Sequence, residues 1–120
     1  MITQNIEEYN YSVKRGDDFE LAVILSDTLG NPVDITGWTI YFTAKKNETD
    51  SDNSAVISIT ETPTDPTNGK AELTIPHTTT YNLLGTYYYD VRFVNLSGIV
   101  NTVASGGITF LIDTTRRVFS

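Results

Sequence analysis

The chain has 120 residues, 15 acidic and 8 basic side chains and a formal charge of −7. It has no cysteine, which excludes disulfide frameworks, thiolate metal centres and cysteine nucleophiles. A pI near 4.4 argues against nucleic-acid partners and anionic membranes, since both draw their affinity from basic side chains, and no apolar run approaches the ~20 residues of a membrane-spanning helix.

Residues 1–8 carry neither a basic patch nor an apolar stretch, so they read as an N-terminal arm rather than a secretory leader. A single domain is expected over residues 9–113. Phe19, Leu21, Val23 and Leu25 alternate with Glu20, Ala22, Ile24 and Ser26. Trp38, Ile40, Phe42 and Ala44 alternate with Thr39, Tyr41, Thr43 and Lys45. A polar stretch from Lys45 to Asn53 reads as a solvated loop, and Val56-Ile57-Ser58-Ile59 as a strand after it. Ala71, Leu73 and Ile75 alternate with Glu72 and Thr74, and Tyr87, Tyr89, Val91 and Phe93 with Tyr88, Asp90, Arg92 and Val94. Ile108, Phe110 and Ile112 close the series before a tail at 114–120. Period-two patterns with one apolar face are the signature of antiparallel strands packed on one side. The 19 threonines and 7 tyrosines fit that surface better than a helix.

Turn chemistry separates the runs. Leu29-Gly30-Asn31-Pro32, Ile35-Thr36-Gly37, Asp65-Pro66-Thr67-Asn68-Gly69 and Asn95-Leu96-Ser97-Gly98 supply the glycine, asparagine and proline that tight turns require. Such spacing fits a two-sheet sandwich or a closed barrel. The order strand (Ala71–Ile75), polar link, Gly85-Thr86-Tyr87, strand is that of an immunoglobulin-type tyrosine corner and favours the sandwich. Tyr87 is the expected corner residue, and the link is expected to make one helical turn that places Tyr81 and Leu84 on the core. The fold expected is therefore all-β, an antiparallel immunoglobulin-like β-sandwich of about seven to eight strands.

Candidate chemistry is sparse. His77 is the only histidine, Asp17 and Asp18 cluster before the first strong strand, and no nucleophile elbow or phosphate-binding glycine loop accompanies them. No catalytic residue or cofactor is expected. Asp50, Asp52 and Glu61 have some of the spacing of a calcium loop, but Ala55 stands where its sharp turn needs glycine; Asp50 and Asp52 remain weak metal candidates. Tyr9, Tyr11, Tyr41 and Tyr88 are candidates for an interface or for stacking on sugars, because tyrosine offers an apolar face and a polar tip. Arg116 and Arg117 could grip an acidic partner, a second copy of this acidic chain included.

Three segments in order, Lys14-Arg15-Gly16-Asp17-Asp18-Phe19, Leu29 to Trp38 (with Asn31-Pro32-Val33-Asp34-Ile35-Thr36-Gly37), and Leu84-Gly85-Thr86-Tyr87-Tyr88-Tyr89-Asp90-Val91, resemble the N-terminal domain of the phage baseplate upper protein family and related small tail proteins of phages and prophages. The resemblance spans about residues 12–113. It implies a non-enzymatic β-sandwich in a virion, made in the bacterial cytoplasm and then assembled as a structural or adaptor part of a tail or baseplate. It further implies contacts with other tail proteins and with copies of itself, through arms and sheet edges, without nucleic-acid binding or membrane insertion. The alternative is a receptor- or glycan-binding module on the same kind of particle.

Overall fold

The computed structural model describes residues 7–8 and 10–114. Eight strands follow in chain order: β1 (Glu7–Glu8), β2 (Tyr11–Lys14), β3 (Phe19–Ile24), β4 (Thr39–Lys45), β5 (Ile57–Glu61), β6 (Lys70–Ile75), β7 (Gly85–Val94) and β8 (Val100–Leu111). One helical turn, α1 (His77–Thr80), lies between β6 and β7. The larger sheet runs β1-β8-β7-β4-β5, with β2 also on β8, and the smaller pairs β3 with β6. The two sheets face each other as an immunoglobulin-like β-sandwich rather than a closed barrel.

The pairing is antiparallel everywhere except at the start of the chain, where β1 and β2 run parallel to β8. Glu7 pairs with Ala104 and Tyr11 with Ile108, so both short strands keep one register and act as a single interrupted strand. In the interruption Asn10 takes over the role of the backbone, its Oδ1 accepting the Gly107 N–H at 2.8 Å. The sheet thus begins inside the segment expected to be a free arm. A parallel pair needs a long crossover, and here nearly the whole domain serves as that crossover. Its last rung is tied by the Arg15 N–H to the Leu111 carbonyl (2.9 Å) and by Arg15 Nε to Asp113 Oδ1 (2.7 Å).

The alternation places the core as expected. Ile40, Phe42 and Ala44 of β4, and Tyr87, Tyr89, Val91 and Phe93 of β7, point inward against Leu21 of β3 and Ala71, Leu73 and Ile75 of β6. Phe42 stacks on Tyr89 at 5.4 Å, and Trp38 meets Phe93 edge-on at 6.4 Å. Each fully buried Phe or Ile contributes on the order of 2 kcal/mol relative to exposure.

Four expectations need correction. The helical turn is phased differently: Thr80 and Leu83 reach the interior, while Tyr81 and Leu84 are exposed. The turn starts directly after Pro76, which sets Thr80 and the residue three positions on over the core. The corner is tied by Thr80 rather than Tyr87, whose ring packs on Phe110 at 5.8 Å and lies under the Lys46 ammonium at 4.9 Å. Ile112 is exposed, because β8 ends one residue before it. Tyr11 does not present its ring outward as an interface residue does; it packs on Phe19 at 5.2 Å and Tyr89 at 5.7 Å, extending the core between the sheets.

Two turns at one end of the sandwich share a single design. Asp27 Oδ1 accepts the N–H groups of Leu29 and Asn31, and Asn95 Oδ1 accepts those of Ser97 and Ile99. Each turn then closes with a glycine at positive φ, Gly30 at 85° and Gly98 at 81°. Such a side-chain oxygen substitutes for a backbone turn acceptor, and glycine adopts the left-handed conformation without steric cost.

Candidate functional site

A trough of about 860 Å³ lies on the outer face of the larger sheet. It exists because that sheet curls, and because every second residue of β4 and β7 faces away from the core. Tyr41, Thr43 and Lys45 come from β4; Tyr88, Asp90 and Arg92 come from β7; Thr102, Ser105 and Gly107 of β8 form the far side. The register fixes their neighbours. Tyr41 stands opposite Arg92, Thr43 opposite Asp90, and Lys45 opposite Tyr88, while Tyr88 faces Gly107 on its other flank. The missing side chain at Gly107 leaves the floor beside Tyr88 open, and a Cβ there would stand 3.3 Å from Asn10 Oδ1.

Both cations of the trough stand beside carboxylates, and Glu48 adds a third acidic group to the lining. Lys45 Nζ lies 2.7 Å from Asp52 Oδ1 and donates to the Asp50 carbonyl at 2.8 Å. The hydrogen bond and positive charge of Lys45 hold the Asp52 carboxyl below its ordinary value. Arg92 Nε is 3.7 Å from Asp90 Oδ2. At this exposure such pairs contribute little to stability, but they leave the lining dominated by hydroxyls and by two tyrosines, each 42% exposed.

The weak metal candidates are otherwise engaged. Asp50 Oδ2 accepts the Asn47 N–H at 3.1 Å, closing the loop after β4, and Asp52 turns to Lys45. The Lys45 ammonium lies against the Asp52 carboxylate, and Glu61 is at the end of β5, opposite Ile40 of β4. Among the described residues no group of three or more His, Asp or Glu side chains is arranged to hold a metal ion.

Asp17, Asp18 and His77 are brought together, as part of the corner. Asp18 Oδ1 accepts the His77 backbone N–H at 2.6 Å and lies 2.9 Å from its Nδ1. Pro76, at the N-cap of α1, has no side-chain oxygen, so Asp18 supplies the cap from a distant strand entry. Those hydrogen bonds hold the Asp18 carboxyl below its ordinary value. Asp17 contributes its carbonyl, which accepts from Thr80 Oγ1 at 2.8 Å, while Thr80 Oγ1 in turn accepts the Gly16 N–H at 3.0 Å. His77 Nε2 is buried without a hydrogen-bond partner among the described residues. No serine or threonine hydroxyl is hydrogen-bonded to the imidazole among the described residues.

Of the expected interface residues, Tyr41 and Tyr88 lie in the trough and Tyr11 does not. Tyr9, Arg116 and Arg117 lie outside the described residues. Sequence reasoning missed Lys45, Asp90, Arg92 and Gly107 as companions of the tyrosines. Their outward phase was visible in the alternation, but the strand order that makes β4, β7 and β8 neighbours was not.

No protein-family model and no curated protein matches the chain. Among solved structures it is similar to the fibronectin(III)-like modules of Clostridium thermocellum CbhA, at 12% identity and a TM-score of 0.46 over 93% of this chain and 98% of that one. The soluble domain of PmoD from Methylocystis gives 9% identity and a TM-score of 0.46 over 87% and 77% of the two chains. An uncharacterized protein from Bacillus anthracis gives 14% and 0.41 over 87% and 84%.

Proposed function

We propose that this chain is a non-enzymatic structural or adaptor module of a bacteriophage tail or baseplate, present in several copies in the virion. The reading draws on the three ordered segments that resemble the baseplate upper protein family. The observation that carries it is the pairing pattern. Among the described residues β3 pairs only with β6, β5 only with β4, and β6 beyond its Lys70–Asp65 bridge only with β3, so three strands keep open edges. β3, Phe19–Ile24, has no proline or lysine to blunt that edge and ends on exposed Ile24. An open edge of this kind offers main-chain donors and acceptors to a strand from a neighbouring protein or a second copy. The way β1 and β2 add in parallel to β8 is the same device within one chain.

The test is mass spectrometry of density-purified particles from the source, with copy number from labelled standards. Stoichiometric presence supports the reading, and absence from intact particles while the protein is abundant in lysate refutes it. Ile24→Lys places a charge at the β3 edge without touching the core, and should lower incorporation, as should deletion of residues 1–8. A second reading, a receptor- or glycan-binding module on such a particle, is favoured by one specific observation, the tyrosine-flanked trough.

A further inference from the structure

We propose that the trough on the outer face of β4, β7 and β8 is a binding site for a neutral oligosaccharide. Its volume, about 860 Å³, falls within the range of ligand sites. Tyr41 stands opposite Arg92, and Arg92 is four residues along β7 from Tyr88. At about 3.4 Å per residue the backbone positions of the two tyrosines are therefore offset by roughly 14 Å along the trough. That span exceeds one sugar ring and suits a short chain of them, with a tyrosine platform toward each end. Between the platforms lie Thr43 and Asp90, paired across the strands, and Ser105 beyond Asp90. Hydroxyl and carboxylate groups at fixed spacing can exchange hydrogen bonds with sugar hydroxyls, while the ring faces take the apolar C–H face of the sugar.

The charges argue against an acidic occupant. Lys45 is matched by Asp52 and Arg92 by Asp90, so no unopposed basic patch is available for a phosphate backbone or an acidic polymer. An extended peptide gains affinity from main-chain hydrogen bonds at an open edge. Here β4 is paired on both sides by β5 and β7, and β7 by β4 and β8, so the floor has no such bonds to give. A neutral polyhydroxylated chain is the ligand chemistry that the lining matches.

The full chain is applied to an array of neutral and acidic oligosaccharides, and the strongest neutral binder is titrated by calorimetry and by amide-resolved NMR. The expected result is selective retention of neutral glycans that persists at raised salt, with shift changes confined to β4, β7 and β8 around Thr43 and Asp90. Tyr41→Ala and Tyr88→Ala should each weaken binding about tenfold. Tyr81→Ala, an exposed tyrosine beside α1 and outside the trough, should leave it unchanged. The NMR map on the unaltered chain reports the site without relying on any variant's folding. The proposal is overturned if the array retains no oligosaccharide, if only acidic glycans bind and salt releases them, or if the shifts map elsewhere.

Discussion

Thr80 is the residue whose replacement tests the account of the corner most directly. It is fully buried, and its Oγ1 ties the corner to a turn more than sixty residues away by donating to the Asp17 carbonyl and accepting the Gly16 N–H. Thr80→Val keeps the shape and removes both bonds. Leaving a buried donor or acceptor unpaired costs about 1–3 kcal/mol. Because the turn at 16–17 is partly open to water, the low end applies to each, giving about 2 kcal/mol in total. Thr80→Ser keeps both bonds and loses one methyl, about 1 kcal/mol. A chain of this size unfolds with an entropy that makes 1 kcal/mol worth roughly 4 °C in Tm. Thermal melts followed by circular dichroism should therefore fall by about 8 °C for the valine variant and about 4 °C for serine. If valine matches or exceeds serine, the hydroxyl is not what holds the corner and the argument fails.

Asp18 gives the corner a pH dependence. Its folded pKa is lowered by the His77 hydrogen bonds, so the stability it contributes is present above its ordinary value of 3.8 and is lost as pH falls through the lower folded value. Urea titrations should show a gap between wild type and Asp18→Asn that narrows as pH drops below 3.8; a gap that widens there contradicts the assigned partner. Two glycines separate backbone conformation from close approach. Gly98 has φ 81° with open space around it, whereas a Cβ on Gly69, φ 70°, would stand 2.4 Å from the Leu25 carbonyl oxygen and 2.8 Å from that of Val33. Gly98→Ala should cost about 1 kcal/mol and Gly69→Ala at least twice that by chemical denaturation; equal losses would mean that the crowding at Gly69 is relieved by a small shift.

β3 to β7 and the end of β8 were legible because their side chains alternate, whereas β1, β2 and the first part of β8, where Val103 and Ala104 are both buried, were not. Tyr87 to Val94 shows apolar and outward positions in turn, and the burial follows residue by residue. Turns were legible where chemistry forces them, as at Asn68-Gly69 and Asn95 to Gly98. What periodicity does not carry is which strands become neighbours. The parallel pairing of β2 with β8 depends on contacts between the two ends of the chain, and neither end announces a partner. The helical turn was anticipated but not its phase, because one turn of four residues has too few apolar positions to fix which side faces inward. The same gap explains the trough. Tyr41 and Tyr88 stood out as outward tyrosines, but their shared surface depends on β4 and β7 being adjacent and in register.

The pairing of the first strand with the last also dictates the order of events during synthesis. Asn10 meets Gly107 across 97 residues of sequence, so the opening strand leaves the ribosome long before its partner exists. Until then its apolar residues Tyr11 and Val13 have no ladder to join, while β3, β6 and the β4–β5 hairpin can already collapse together. The domain is therefore completed in one late step, the arrival of β8, which closes β7 on one side and recruits the waiting N-terminal strand on the other. Contacts of such long sequence separation slow folding. A nascent chain halted before residue 100 would hold the edge of β7 open, and would be the species most exposed to chaperones and to premature association.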